Sequence, residues 1–262
     1  MDRSPALLSE DDLHRFARQL ILSGFEEDHQ LALLQSHVAV IGAGGLGSPL
    51  LQYLVAAGIG KITIFDDDQV EATNLNRQVL HTHQDIGRAK TISAAEKSLA
   101  LNPSCEIIMR AERFDENIIN DDEISVICDA SDNAQTRYAA NTWAHHNKIP
   151  LIFGGAVRLE GQVAVFRSGI ENDAPCFLCL FPQQASSDLA PGCSEAGILG
   201  AITGIIGSIM ALEAIRHCLK NKHISNPLGE GLKDHLLLLD GRTMDIDKIK
   251  MKKSRNCSCC SS

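Results

Sequence analysis

Four glycines that follow a short apolar segment could form a phosphate-binding loop. They are Gly42, Gly44, Gly45 and Gly47, and three of them have the spacing G-x-G-x-x-G between a predicted strand and a predicted helix. Glycine lets the backbone turn tightly and approach an anion, while the helix N-terminus offers free N–H groups and a partial positive charge. Asp66 follows Gly47 by 19 residues, where a carboxylate can accept hydrogen bonds from ribose hydroxyls. The pattern predicts a nucleotide site, and by itself it fits NAD as well as ATP.

Amide and cationic side chains after Asp66 favour ATP over NAD. They are Asn74, Arg77, Gln78 and Lys90. A dinucleotide has a single pyrophosphate to neutralise, so Arg77 and Lys90 together are better suited to a triphosphate. The alternative for Arg77 is an exposed charge on a helix.

Asp132 is the candidate ligand for a magnesium ion. It follows the predicted strand Ser125–Cys128 within a Ser-Asp-Asn triplet. The carboxyl ends of strands face the ligand crevice in an open α/β sheet, and Mg²⁺ prefers oxygen ligands. The alternative is that Asp132 caps the N-terminus of the next helix.

The chain has nine cysteines, and four of them could hold a tetrahedral Zn²⁺. Two C-x-x-C pairs supply the thiolates: Cys176 with Cys179, and Cys257 with Cys260. The pairs are separated by 77 residues, which is far more than in a compact zinc ribbon. Cys259 is extra, and it could replace Cys257 or Cys260 as a ligand or stay free.

A further cysteine, Cys193, precedes a long predicted helix that begins near Glu195. A thiol at a helix N-terminus has a lowered pKa and is a good nucleophile. Cys193 is therefore a candidate for covalent chemistry.

Strands and helices that alternate along the chain would position these residues. Predicted strands lie at 38–41, 61–65, 104–110, 125–128 and 150–153, and predicted helices at 47–57, 88–101 and 134–146. This order indicates an α/β fold with a doubly wound, mostly parallel, Rossmann-like sheet. Further predicted strands at 162–167 and 236–239, on either side of a helix at about 195–219, extend the sheet in the second half. We expect a single domain over 1–262, with a helical segment at about 10–35, a nucleotide-binding half to about 155, and a second half to the end.

The composition narrows the class of protein. A formal net charge of −9 argues against bulk attraction to nucleic acid or an anionic membrane. The first residues show no secretory signal, so we expect a cytoplasmic protein in which cysteines stay reduced. The longest uncharged run, Ala196–Leu212, is rich in glycine and short for a membrane span, and a buried helix is expected there.

The order of these motifs resembles the ThiF/MoeB/HesA family, whose members are related to ubiquitin-activating enzymes. The resemblance rests on R-x-x-R-Q from Arg15 to Gln19, G-x-G-G-L-G-S, D-x-D-x-V-x-x-x-N-L-x-R-Q, G-x-x-K and the Ser-Asp-Asn triplet, and it extends from about residue 10 to 260. It implies ATP-dependent adenylation of the C-terminal Gly-Gly carboxylate of a small β-grasp sulfur carrier, MoaD-like or ThiS-like, in molybdopterin or thiamine biosynthesis. Pyrophosphate is the expected leaving group.

The same resemblance implies roles for single residues. Asp66 would bind the ribose, Asn74, Arg77 and Lys90 the phosphates, and Asp132 the Mg²⁺. Arg18 would be an arginine finger that reaches the neighbouring subunit of a homodimer; the alternative is an exposed helix charge.

Further expectations from the resemblance concern sulfur chemistry and the metal. Cys193 matches a position where some members have a sulfur-transfer cysteine. The second half would bind the carrier and fix the C-terminal segment through zinc, and a separate protein would donate the sulfur.

Two other functions compete with this interpretation. An NAD-dependent oxidoreductase would require a hydride-transfer constellation in the second half, and the sequence shows none there. A non-catalytic scaffold would usually have lost Arg18, Lys90 or Asp132, and all three are present.

Overall fold

The computed structural model describes residues 7–117, 123–182, 196–220 and 226–261. Within these ranges, eight strands form one mixed sheet in the order β3-β2-β1-β4-β5-β6-β7-β8. The strands are β1 His37–Ile41, β2 Lys61–Phe65, β3 Glu106–Arg110, β4 Ile124–Asp129, β5 Leu151–Val157, β6 Glu160–Phe166, β7 His235–Asp240 and β8 Asp245–Lys250. The described helices are α1 Glu10–Arg15, α2 Ala17–Leu20, α3 Glu27–Leu34, α4 Gly47–Ala57, α5 Lys90–Leu101, α6 Ala134–His146, α7 Phe177–Leu180 and α8 Gly200–Lys220.

The first half is the predicted parallel, doubly wound sheet. β3, β2, β1, β4 and β5 pair in parallel, and every residue of β1 is buried. Strands covered on both faces are typically continuous apolar runs, which explains the sequence of β1. Alternate strand residues point to two separate cores: Val38 and Val40 face α4 and α8, whereas Ala39 and Ile41 face α6.

The second half extends the sheet by antiparallel hairpins. β5 pairs with β6, β6 with β7, and β7 with β8, all antiparallel. β8 was not predicted, because four of its six residues are charged and all six are exposed. It forms through pairing with β7 across a tight turn, in which Met244 has a φ of 64°.

Helix α8 is the longest helix among the described residues. Over Gly200–Leu219 it is long and apolar enough to span a membrane, but 67% of its most apolar window is buried. Ile202, Ile206 and Met210 pack against the sheet and α4. The expectation of a buried helix in this region is confirmed for the residues from Gly200 onward.

The helical segment expected at about 10–35 does contain helices, but not one continuous helix. The segment is divided into α1, α2 and α3. Phe16 leaves the α conformation, with φ −97° and ψ 10°, and Gly24 adopts a φ of 79°. Phe16 is buried, whereas Ile21, directly after α2, is 72% exposed. The two apolar side chains therefore do not share one buried helix face.

Candidate active site

A cleft lies at the carboxyl ends of the parallel strands, where open α/β sheets bind ligands. All four predicted loop glycines contribute to this region, and Gly42, Gly44 and Gly45 line the cleft itself. Gly42 has a φ of 94°, and a Cβ there would lie 2.9 Å from the carbonyl oxygen of Ala130. A Cβ at Gly47 would collide with the carbonyl oxygen of Gly42. Side chains at Gly42 and Gly47 would therefore collide with backbone atoms, those of Ala130 in the first case and those of the loop itself in the second.

Asp66 ties the glycine loop to the end of β2. Its Oδ2 accepts a hydrogen bond from the Ala43 N–H (2.8 Å), and its Oδ1 accepts one from the Asp68 N–H (2.9 Å). Burial raises the pKa of Asp66, and the positive charge of Lys90 opposes this rise. Each oxygen retains capacity to accept another hydrogen bond, so the carboxylate can also receive a ribose hydroxyl.

Two of the predicted cations, Lys90 and Arg77, line the cleft and are held in place by different partners. Lys90 is buried at the start of α5, and its Nζ donates to Asp68 Oδ2 at 2.7 Å. The Arg77 guanidinium donates to the Thr73 carbonyl (3.0 Å) and to Asn74 Oδ1 (3.3 Å). Both can interact with phosphate oxygens, provided that Lys90 shares its ammonium between Asp68 and the ligand.

Asn74 connects Arg77 and Gln78, because both donate hydrogen bonds to its side-chain oxygen. Asn74 Oδ1 also accepts a hydrogen bond from Gln78 Nε2 at 2.8 Å, and Asn74 is buried outside the cleft lining. Gln78 lines the cleft, and its buried Oε1 has no hydrogen-bond partner among the described residues. Asn74 thus positions Arg77 and Gln78, and Gln78 contributes to the wall of the cleft.

The turn after β4 presents Asp132 at the rim of the cleft. Asp132 is exposed, and Asn133 is the N-cap of α6, since its Oδ1 accepts a hydrogen bond from the Thr136 N–H (2.9 Å). The alternative role of Asp132 as a helix cap is therefore wrong. Asp129 fixes the turn from below, because its Oδ1 accepts hydrogen bonds from Ser131 Oγ (2.6 Å) and the Ser131 N–H (3.0 Å). The Asp132 carboxylate stays available to a cation.

The turn also contains a buried carboxyl group. Burial raises the pKa of Asp129, and the nearby Arg137 guanidinium opposes this rise. Arg137 donates to the Ser131 carbonyl (3.0 Å), and its Cζ lies 5.2 Å from the centre of the Phe153 ring.

Two predicted residues lie elsewhere. Arg18 is exposed at the C-terminal end of α2 and does not line the cleft of its own chain. Cys193 lies outside the described residues. Among the residues that are described, no cysteine lines the cleft.

Sequence analysis missed three residues at this site. Arg137 lines the cleft one turn into α6, and Arg113 lines it while pairing with Asp67 at 3.2 Å. His81 lies beneath the glycine loop. Its Nε2 is 2.8 Å from the Ala43 carbonyl oxygen, and its Nδ1 is 2.8 Å from Ser93 Oγ. A signal was available for Arg137, because the first turn of a helix that follows a central strand faces the ligand crevice.

The four cysteines of the two C-x-x-C pairs form a separate cluster. Their sulfurs all lie within 4.8 Å of one another, and three of the distances are 3.4, 3.5 and 3.8 Å. Tetrahedral thiolates at the usual zinc–sulfur distance are about 3.8 Å apart, so the cluster fits a tetrahedral metal ion. Cys259 is outside this group of four, and its Sγ accepts a hydrogen bond from Asn141 Nδ2 at 3.3 Å.

Sequence and structure comparisons define the class of protein. The chain belongs to the ThiF family, whose profile matches residues 16–261. A solved structure of E. coli MccB with ATP has a TM-score of 0.76 and 22% identity, and covers 94% of this chain and 73% of MccB. A second MccB structure has a TM-score of 0.78. These neighbours support the α/β, Rossmann-like fold.

Two relatives match nearly the whole of this chain in sequence. One is the adenylyltransferase and sulfurtransferase MOCS3 of Drosophila willistoni, 41% identical over 260 residues, covering 97% of this chain and 55% of that protein. The other is the sulfur carrier protein adenylyltransferase of Thermus thermophilus, 36% identical over 260 residues, covering 96% of this chain and 92% of that protein. The chain thus spans about half the length of the fly relative and nearly all of the bacterial one.

Proposed function

We propose that this protein is an ATP-dependent adenylyltransferase that activates the C-terminal Gly-Gly carboxylate of a small ubiquitin-like sulfur carrier. The main support is one arrangement, in which Arg77, Lys90 and Asp132 surround the glycine loop in a single cleft. The Thermus thermophilus relative, named a sulfur carrier protein adenylyltransferase, matches over 92% of its own length. MoaD-like and ThiS-like carriers are the candidate substrates.

The reaction needs no protein nucleophile. A carboxylate oxygen of the carrier attacks the α-phosphorus of ATP, a new C–O–P linkage forms, and the bond between the α- and β-phosphates breaks to release pyrophosphate. Arg77 and Lys90 would bind the phosphate oxygens and stabilise the charge that develops on them. The glycine loop would bring backbone N–H groups to the same phosphates.

Magnesium is the proposed counter-ion of the triphosphate. Asp132 would hold it, and the neighbouring carboxylates of Asp66, Asp67 and Asp68, with oxygens within 4.8 Å of one another, lie at the same cleft. When bound, Mg²⁺ would neutralise phosphate charge and orient the leaving group. Oxygen donors of this kind suit the ion.

Zinc is the proposed occupant of the cysteine cluster. Four thiols at tetrahedral spacing are a typical structural zinc site. The Ser254 N–H donates to Cys179 Sγ at 3.3 Å, a bond that favours the thiolate form. The ion would join the segment around α7 to the C-terminal segment.

A homodimer is proposed to complete the active site. Because Arg18 is exposed and lies outside the cleft of its own chain, a second subunit could receive it at the phosphates. We further propose a cytoplasmic location and a separate sulfur donor. The pathway of the carrier, molybdopterin or thiamine, follows from which carrier is accepted.

Isotope exchange between pyrophosphate and ATP tests the proposed reaction. Purified protein with Mg²⁺ should exchange label only when a Gly-Gly carrier is present, and a carrier with its last glycine deleted is the control. MoaD-like and ThiS-like carriers are assayed separately to identify the pathway. Binding of NAD(H) in place of ATP, or no exchange with any carrier, would overturn the proposal.

A further inference from the structure

A buried histidine, His81, connects the glycine loop to helix α5. Its side chain lies outside the cleft lining, and the residue is only 4% exposed. One ring nitrogen contacts the carbonyl oxygen of Ala43 in the loop, and the other contacts the hydroxyl of Ser93, each at 2.8 Å. Ser93 is fully buried one turn after Lys90, so the ring joins the loop to the helical turn that presents this cation.

The two partners of His81 determine where its hydrogen lies. A carbonyl oxygen can only accept, so Nε2 carries the hydrogen and donates it to Ala43. Nδ1 of the neutral ring is then an acceptor, and the Ser93 hydroxyl donates to it. Burial lowers the pKa of His81, and the charge of Lys90 acts in the same direction, while the bond to Ala43 and nearby carboxylates oppose this fall. A neutral ring with one fixed tautomer results near pH 7.

The bond from His81 fixes the direction of one backbone N–H of the loop. Ala43 is held from both sides, because its N–H donates to Asp66 Oδ2 at 2.8 Å and its carbonyl accepts from His81. The next peptide bond is trans, so the Gly44 N–H points opposite to that carbonyl and away from the ring. In the described part of the chain this N–H has no hydrogen-bond acceptor, and Gly44 lines the cleft.

The loop needs such an anchor because its glycines are conformationally permissive. Without a Cβ at Gly44, the peptide plane before it can rotate at little steric cost. The Gly44 carbonyl on the other side is already held by the Ser48 N–H (2.9 Å) and by Ser48 Oγ (2.8 Å). Hydrogen-bond donors stabilise an anion most when their direction is fixed before the ligand arrives.

We propose that His81 is a positioning residue for ATP, which holds the peptide between Ala43 and Gly44 so that the Gly44 N–H donates to a phosphate oxygen. The proposal rests on the proposed use of ATP and deepens it, since it adds a residue that touches neither substrate nor reacting atoms. Ser93 would keep the ring in the required orientation.

Two amide variants of His81 test the proposal. In His81→Gln the longer side chain can place an N–H near the position of Nε2 and still donate to Ala43, whereas in His81→Asn the shorter one reaches only toward Ser93. Calorimetry with ATP and Mg²⁺, without carrier, should give His81→Asn a Kd about tenfold above wild type and His81→Gln a Kd within about threefold. Adenosine has no phosphate, so its Kd for His81→Asn should stay within about twofold of wild type.

An exposed histidine two residues further on provides the matched control. His83→Ala should bind both ligands as the wild type does. Ser93→Ala is the second variant if the histidine variants do not fold, and it should weaken binding of ATP but not of adenosine.

The outcomes distinguish a positioning role from a purely structural one. Equal losses of affinity for ATP and adenosine would overturn the proposal, because His81 would then only hold the fold. Unchanged binding of ATP by His81→Asn, or by Ser93→Ala where that variant is used, would overturn it as well. A wild-type protein that binds ATP but exchanges no label with any carrier would overturn the proposed adenylation and leave the role of His81 standing.

Discussion

The nucleotide cleft and the cysteine cluster are built in opposite ways. The cleft gathers side chains from several strand ends, and the exposed carboxylate of Asp132 lies at its open space. The cluster gathers four thiols from two short segments, and their sulfurs already have the spacing of a tetrahedral site. The cleft is arranged for a ligand that enters and leaves, whereas the cluster would close around the proposed zinc ion as part of the fold. Substitutions in the cleft should therefore change activity, and substitutions in the cluster should change stability.

The largest expected effect is at Asp132. Asp132→Ala should lower ATP–pyrophosphate exchange by about a hundredfold or more, because it removes the carboxylate proposed to hold the metal ion. The melting temperature should change little, since Asp132 is exposed. Gln135→Ala, an exposed neighbour in the first turn of α6, is the control and should keep full activity. Normal ATP–pyrophosphate exchange by the Asp132→Ala protein would contradict the expectation that substitutions in the cleft change activity.

Arg18 tests whether the cleft is completed by a second chain. Arg18→Ala and Asp132→Ala homodimers should each be nearly inactive. After mixing and re-equilibration, about half of the dimers are heterodimers with one intact site, so roughly a quarter of wild-type activity should return. Arg15→Ala, also exposed and nearby, is the control in the same assay. Verified subunit exchange without recovery would show that Arg18 does not act across an interface.

Cys176→Ser tests whether a substitution in the cysteine cluster changes stability more than activity. This variant should lose bound zinc and melt at a lower temperature, because thiolate ligation couples the metal to folding. Activity per folded molecule should change far less than in Asp132→Ala. Cys259→Ser is the matched control and should retain one zinc per chain, since Cys259 lies outside the group of four. Zinc-free wild-type protein, measured by metal analysis after purification without chelator, would contradict the assignment.

A smaller effect is expected from a buried ion pair near the cleft. Asp85 is buried, and although burial acts to raise its pKa, hydrogen bonds from Thr82 and the proximity of Lys97 hold the pKa below its ordinary value. Such a carboxylate stabilises the fold fully above its unfolded pKa of about 3.9 and loses that contribution as the pH falls toward its folded pKa.

The free energy of unfolding at different pH values measures this contribution. Asp85→Asn should lower the free energy of unfolding by about 3 kcal/mol near pH 7, because Lys97 and Arg88 lose a buried partner. The difference in this free energy from wild type should shrink below about pH 4. Glu96→Gln, which removes an exposed partner of Arg88, is the control. A difference that stays constant from pH 7 to pH 3 would show that the Asp85 pKa is not lowered.

The local part of the site was predictable from sequence. The glycine loop with Asp66, and each single C-x-x-C pair, can be recognised from spacing within short segments. The structure places the loop beside Asp66 at the cleft and the two C-x-x-C pairs in one separate cluster. β8 was not predictable, because its charged sequence becomes a strand only through its pairing with β7. The contact of His81 with Ala43 was equally hidden, because it depends on how two loops 38 residues apart pack.

The packing of α8 has a consequence for the order in which the chain folds. Its partners are α3, α4, β4, β5 and β6, and all of them precede it in the sequence. During synthesis, the face of the sheet that α8 covers emerges from the ribosome before α8 does, and it stays uncovered until the helix has been made. Nascent chains of fewer than about 200 residues would therefore display an extended apolar surface, a feature that favours aggregation and attracts chaperones.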